Sequence, residues 1–173
     1  MKAVIPFAFV LLGVAVASLR AAPETTMQLT SNDFASGGGI PKQFTCEGGD
    51  MSPSLRLQNA PKAAKSLALI LDDPDAPSGT FTHWLVWNIS PEATEFPVNR
   101  TPTGVVQGIN DFGKTGYGGP CPPSGRHRYY FRLYALDAEV KLAAGATRAA
   151  LEAAMHGHVL AQATLMGTYR KPR

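Results

Sequence analysis

The sequence predicts an all-β fold, a sandwich or barrel, and three observations carry that expectation. Apolar stretches of strand length recur between clusters rich in Gly, Pro, Asp, Asn and Ser, the spacing of short strands and their turns. Within those stretches the side chains sort with a period of two, as alternate faces of a sheet require. Helical signal is confined to one segment, residues 147–155. There Thr147 is placed to cap an Ala-rich body, and Gly157 stands near its end.

In chain order, strands are expected at residues 27–29, 43–46, 55–57, 66–71, 81–89, 127–136 and 160–168. At 66–71 the apolar run breaks into Asp72, Asp73, Pro74 and Asp75, so carboxylates gather at one strand end. At 81–89 both phases are largely apolar, the mark of a strand covered on both sides, with His83 in phase with Leu85 and Trp87. At 127–136 the odd positions His127, Tyr129, Phe131, Leu133 and Ala135 share an apolar face, while Arg128 and Arg132 fall on the other.

Residues 1–22 read as an export signal. Lys2 gives a positive start, and residues 4–17 form an apolar run too short to span a bilayer comfortably. Small residues at Ala15 and Ala17, or Val16 and Ser18, suit cleavage; Ala22 is a poorer site because Arg20 would occupy its −3 position. Cleavage is therefore expected between 17 and 22, leaving 23–173 as one domain with no integral membrane segment. A chain of that size buries about 68–70% of its unfolded surface. Losing Lys2 and Arg20 lowers the net charge from +3 to +1. The remaining cations are scattered apart from Arg126, Arg128 and Arg132 and the tail Arg170, Lys171 and Arg173, which argues against a nucleic-acid partner. Cys46 and Cys121 form an even pair in a chain bound for an oxidising compartment, which favours a disulfide over two buried thiols.

Three segments concentrate chemistry: Asp72-Asp73-Pro74-Asp75-Ala76-Pro77, Thr82-His83-Trp84, and Tyr117-Gly118-Gly119-Pro120-Cys121-Pro122-Pro123 running into His127-Arg128-Tyr129. Alone, each has a bland reading as a stiff loop or a core histidine. Together they place two imidazoles, carboxylates and a phenol at strand ends bordered by rigid loops. Such a rim suits a small anion, because imidazole N–H, tyrosine O–H and Gly-rich backbone are donors, while a carboxylate orients an imidazole. His156 and His158, the Asn88-Ile89-Ser90 and Asn99-Arg100-Thr101 sequons, and Trp84 and Trp87 are read as structural or incidental.

These segments resemble the two signature regions of the phosphatidylethanolamine-binding protein family: Asp73-Pro74-Asp75-Ala76-Pro77 with His83-Trp84-Leu85-Val86, then Gly119-Pro120-Cys121-Pro122-Pro123 with Gly125, His127, Arg128 and Tyr129. Thr45-Cys46-Glu47-Gly48, Gly157-His158-Val159-Leu160-Ala161 and Gly167-Thr168-Tyr169 are similar to the bacterial Raf-kinase-inhibitor-like branch. The resemblance implies an antiparallel two-sheet Greek-key sandwich with one or two short helices. It also implies a pocket for phosphate-type head groups formed by Asp73, Ala76, His83, Gly119, Pro122, His127 and Tyr129. Few residues follow Tyr169, so the C-terminal helix that partly covers the pocket in eukaryotic relatives is not expected.

The favoured function is an exported, periplasmic or secreted binder of a small anion or phospholipid head group, not an enzyme and without cofactor or metal. An inhibitor or interaction protein acting on a periplasmic partner is the alternative, and a homodimer is left open. A metal-assisted hydrolase built on Asp73, Asp75, His83 and His127 ranks lower, because no His-x-x-x-His spacing and no nucleophile-elbow serine occurs. The export reading is checked by N-terminal sequencing of periplasmic protein. The first residue is expected between Ser18 and Pro23, and intact Met1 in soluble cytoplasm would contradict it.

Overall fold

The computed structural model describes residues 26–172; the expected export signal and its cleavage region lie outside the described residues. In chain order the elements are β1 Gln28–Thr30, β2 Leu55–Gln58, β3 Ser66–Asp73, β4 Phe81–Ile89, β5 Glu95–Phe96, β6 Val106–Gln107, β7 Arg126–Leu136, α1 Arg148–Met155 and β8 Val159–Arg170. One sheet has the order β1-β2-β5 and the other β6-β4-β3-β7-β8, with antiparallel pairing throughout the named strands. Within the larger sheet, β7 returns to lie beside β3 after β3, β4 and β6 have been laid down in order, which is Greek-key topology.

The larger sheet is covered on both faces, and this explains why β3 and β4 are apolar in both phases. On one face Leu67, Leu69, Leu71, Trp84, Val86, Phe131, Leu133 and Leu165 pack against Leu29, Leu55, Leu57 and Phe96 of the smaller sheet. On the other, Ala68, Ile70, Leu85 and Trp87 lie under Leu151 and Met155 of α1. Those two helix residues are one turn apart and so share a face. The Thr147 hydroxyl accepts from the Ala150 N–H at 3.3 Å, fixing where α1 begins.

The acidic run at the end of β3 divides between the two faces. Asp72, 1% exposed, turns toward α1 and is held by Arg132 at 2.9 Å and Arg148 at 3.2 Å. A buried carboxylate deprived of its partners typically costs ~3–5 kcal/mol, so this cluster fastens α1 to the sheet. Asp73 points to the opposite face, where it becomes part of the pocket described below.

Local chemistry overrides strand propensity at 43–46. Lys42–Phe44 is a 3-10 turn, because the N–H groups of Phe44 and Thr45 bond back to the carbonyls of Pro41 and Lys42 at 3.0 Å each. β5 and β6 were absent from the expected strands; at two residues apiece they are too short to display alternation.

The Cys46 and Cys121 sulfurs are joined, with Cα atoms 5.4 Å apart and a sequence separation of 75. The Cys46 N–H also donates to the Pro120 carbonyl at 3.2 Å, so backbone and sulfur tie the same two loops. Closing a loop of this length stabilises a chain by about 4–5 kcal/mol on the loop-entropy argument. Denaturant unfolding of the Cys46→Ser/Cys121→Ser variant should show a loss of up to that size. Two alkylatable thiols in unreduced native protein would contradict the bridge.

Candidate functional site

The ends of β3, β4 and β7 converge beside the loops at 74–80 and 117–125, and the buried charge at this junction is Asp73, 3% exposed. Its two oxygens are both used. Oδ1 accepts the Asp75 backbone N–H at 2.8 Å, tightening the Asp-Pro-Asp turn, and Oδ2 faces Nδ1 of His127 at 2.7 Å. A carboxylate at that distance accepts, so Nδ1 of His127 carries a proton and Nε2 is left for other partners. Strand phase brings His127 here, on the same face of β7 as Tyr129 and Phe131.

His83 arrives by a different route. Strict alternation would put it with Leu85 and Trp87 under α1, as its sequence phase suggested. The β3–β4 register instead steps from Leu71 opposite Trp84 to Asp72 opposite Thr82, making His83 the extra residue of a β-bulge. Bulges re-aim a side chain, and here the imidazole lies edge-on to Tyr129, with ring centroids 5.2 Å apart. Nδ1 of His83 donates to the Gly118 carbonyl at 2.7 Å. Burial holds the His83 pKa below the usual 6.5, against the raising influence of that carbonyl and of the Asp73 charge. At neutral pH the ring is therefore uncharged, with its lone pair at Nε2.

Tyr129 lies beneath. It is fully buried, and its hydroxyl has no hydrogen-bond partner among the described residues. Burial, followed by the nearby Asp73 charge, raises its pKa far above the ordinary phenol value. It stays protonated. An unsatisfied buried hydroxyl is costly.

Three walls enclose a cavity of about 230 Å³, lined by Asp73, Ala76, Pro77, Ser78, Phe81, His83, Phe112, Cys121 and Pro123. The first wall, the turn after Asp73, is clamped by Arg128. Its backbone N–H and Nε reach Asp75 Oδ2 at 2.9 Å each, and Nη2 reaches Oδ1 at 2.6 Å. This guanidinium brings the Asp75 pKa down to about 2. Arg128 lies on the face of β7 opposite His127, as its phase predicts, yet it holds a pocket wall in place. The second wall is a tight turn organised by buried Asn110. Its Oδ1 accepts from the N–H groups of Phe112 and Lys114 at 3.0 and 3.1 Å, and its Nδ2 donates to the Gly116 carbonyl at 2.9 Å. That turn presents Phe112 against Phe81 and His83. The third wall is the loop pinned by the disulfide.

Of the residues expected at the site, Asp73, Ala76 and His83 line the cavity, His127 reaches it through Asp73, and Tyr129 packs under His83. Gly119 and Pro122 do not line it. The Gly119 N–H is spent on Asp50 at 2.6 Å, and a side chain there would strike the Phe44 carbonyl and Thr45 Cα. The loop at Gly119 approaches the Cys46 segment too closely for any Cβ. Phe81, Asn110, Phe112 and the clamp Arg128 were not singled out as site residues, and only the Asn-Asp-Phe-Gly turn signature of residues 110–113 hinted at a built loop. Of the carboxylates of the hydrolase alternative, Asp75 is paired with Arg128 and Asp73 with His127. Among the described residues no cluster of three or more His, Cys, Asp or Glu is placed to hold a metal.

Comparison with known proteins shows the family and the fold. Residues 30–170 match the phosphatidylethanolamine-binding protein family. A UPF0098 protein of Methanothermobacter thermautotrophicus is 51% identical over 150 residues, spanning 84% of this chain and 99% of the relative. One from Aquifex aeolicus is 47% identical over 152 residues, spanning 84% and 89%. Among solved structures, a phosphatidylethanolamine-binding protein homologue from Chlamydia trachomatis superposes with a TM-score of 0.81 at 45% identity, covering 85% of this chain and 99% of that one. Escherichia coli YbcL, described as a member of the mammalian family, superposes at 0.80 with 34% identity, covering 86% and 100%. That second likeness fits the bacterial Raf-kinase-inhibitor-like branch. Matched over most of its length by the family and by relatives near half identical, the chain belongs to the phosphatidylethanolamine-binding protein family.

Proposed function

We propose that the protein is an exported binder of a small phosphate-type anion or phospholipid head group, held at the junction of β3, β4 and β7 without chemical turnover. Family membership supports a binding role. The observation that carries the anion reading is the grouping of two imidazoles and an unpartnered buried phenol around one fully used carboxylate. The cavity, about 230 Å³, is smaller than the roughly 300–1,000 Å³ of sites for drug-sized ligands, so it suits a head group and not a whole lipid. Tyr129 donates as it stands. His83 becomes a second donor only when Nε2 is protonated, so anion binding and proton uptake are linked.

The sign of that linkage follows from the depressed His83 pKa. An anion favours the protonated ring and raises its pKa, so affinity for a ligand of fixed charge such as sulfate should increase as pH falls. The increase should begin at the higher pKa of the bound form and level off below that of the free form, which lies under 6.5. Isothermal titration with sulfate and phosphoethanolamine across this window tests the reading. His83→Ala and His127→Ala are expected to lose about 1–3 kcal/mol, or about 5–150-fold in affinity, and Lys62→Ala, exposed and remote, should bind as wild type. Wild-type affinity in both histidine variants would place the ligand elsewhere.

A further inference from the structure

One long side of the sandwich is made by two edge strands, β1 of the smaller sheet and β8 of the larger, which lie beside each other. Half of the β8 edge is already paired. The segment 37–40 runs along it, with the Gly37 N–H on the Met166 carbonyl at 2.7 Å, the Thr168 N–H on the Gly38 carbonyl at 2.8 Å and the Ile40 N–H on the Thr168 carbonyl at 2.7 Å. The even-numbered residues of β8 therefore turn their backbone groups away from β7, and the β7–β8 register runs unbroken from Ala161 to Arg170. By alternation the N–H and C=O of Gln162 and Thr164 face the same way. Among the described residues nothing pairs with these backbone groups. Edge strands are usually guarded by charge or proline, yet residues 159–169 contain neither.

The uncovered half borders a groove of about 810 Å³ whose lining includes Met27, Pro61, Lys62, Leu160, Ala161 and Gln162. Val159 and Leu160 are among the few large hydrophobic side chains that stand exposed. An unpaired strand edge beside a groove for alternate side chains is the geometry by which extended peptides add to a sheet. The charge of the groove selects among occupants. Lys62 is the one charged residue of its lining, exposed and in no ion pair among the described residues. A second copy laying β8 against β8 would bring no charge to Lys62, since residues 159–169 carry none. A peptide with a carboxylate in phase with its aliphatic side chains fills the groove and meets the cation.

We propose that the open half of the β8 edge takes an extended segment of another protein as an added strand. Its main chain pairs with Gln162 and Thr164, its aliphatic side chains enter the groove, and its carboxylate meets Lys62. This surface lies at the opposite end of β8 from the head-group pocket and does not depend on that reading. The probe is the capped peptide acetyl-Glu-Thr-Val-Thr-Val-Thr-Glu-amide, whose acids and valines share one face of a strand. Amide exchange followed by NMR reads the pairing directly. In the free protein the Gln162 and Thr164 amides should exchange fast and those of Ala163 and Leu165 slowly, and saturating peptide should slow the first two about tenfold or more. Thr164→Pro removes an outward N–H while leaving the pairing with β7, and should weaken peptide binding about fivefold or more. The fully N-methylated peptide should not bind wild type, a control that needs no altered protein. Lys62→Glu should weaken binding of the Glu peptide and favour its counterpart with Lys at both acidic positions. Binding that leaves both amides fast, binding that survives N-methylation and charge reversal, or no binding at millimolar peptide would overturn the proposal. Slow exchange at both amides before peptide is added, or a dimer that Thr164→Pro abolishes, would show the edge filled by this chain or a second copy and would equally overturn it.

Discussion

A carboxylate 3% exposed to solvent must be satisfied by its own protein, and Asp73 is that group here. Left without partners, a buried charge is costly. Instead one oxygen of Asp73 draws in the Asp75 N–H and the other the His127 imidazole. The first bond shapes the turn that becomes a pocket wall; the second fixes which nitrogen of His127 is left for a ligand. The same charge acts on the pKa values of His83 and Tyr129. Position, tautomer and donor supply in the pocket thus follow from how one buried acid is paired.

The rest of the fold restricts movement around that pair. The Cys46–Cys121 bond, the Gly119–Asp50 contact and the Tyr117 hydroxyl on the Phe44 carbonyl at 2.7 Å all tie the loop before β7 to the 3-10 turn and the segment after it. Arg128 ties the turn after β3 to the start of β7, and Asn110 ties the Phe112 turn together. Each of these fastenings is polar or covalent, and each lies at an edge of the apolar core. Core packing places the strands, while these contacts set the walls between strand ends.

Sequence reading reached the parts governed by simple periodicity and missed those governed by local exceptions. Alternation in 127–136 put His127 and Tyr129 on one face and Arg128 and Arg132 on the other, and the Thr147 cap marked the start of α1. The same rule misplaced His83, because a one-residue bulge inverts phase and leaves no mark in composition. The stretch 43–46 looked like a strand because its backbone bonding, local to Pro41 and Lys42, is invisible to side-chain pattern. Gly119 was legible as special, but not as a close-approach glycine, since that depends on Thr45 and Phe44 far away in sequence. Phe112 owes its place to Asn110, a polar residue whose burial could not be read from its neighbours.

The claim that proton-bearing imidazoles built around Asp73 receive the anion is tested most directly by nitrogen NMR of the histidine rings, with and without saturating sulfate. In the free protein near neutral pH, His83 should show a protonated Nδ1 and an unprotonated Nε2, as its bond to the Gly118 carbonyl requires. Nδ1 of His127 should be protonated throughout. Sulfate should convert the His83 Nε2 to its protonated form at a pH where the free protein leaves it bare. Saturation with sulfate that leaves the His83 Nε2 signal unchanged would contradict the assignment of this pocket.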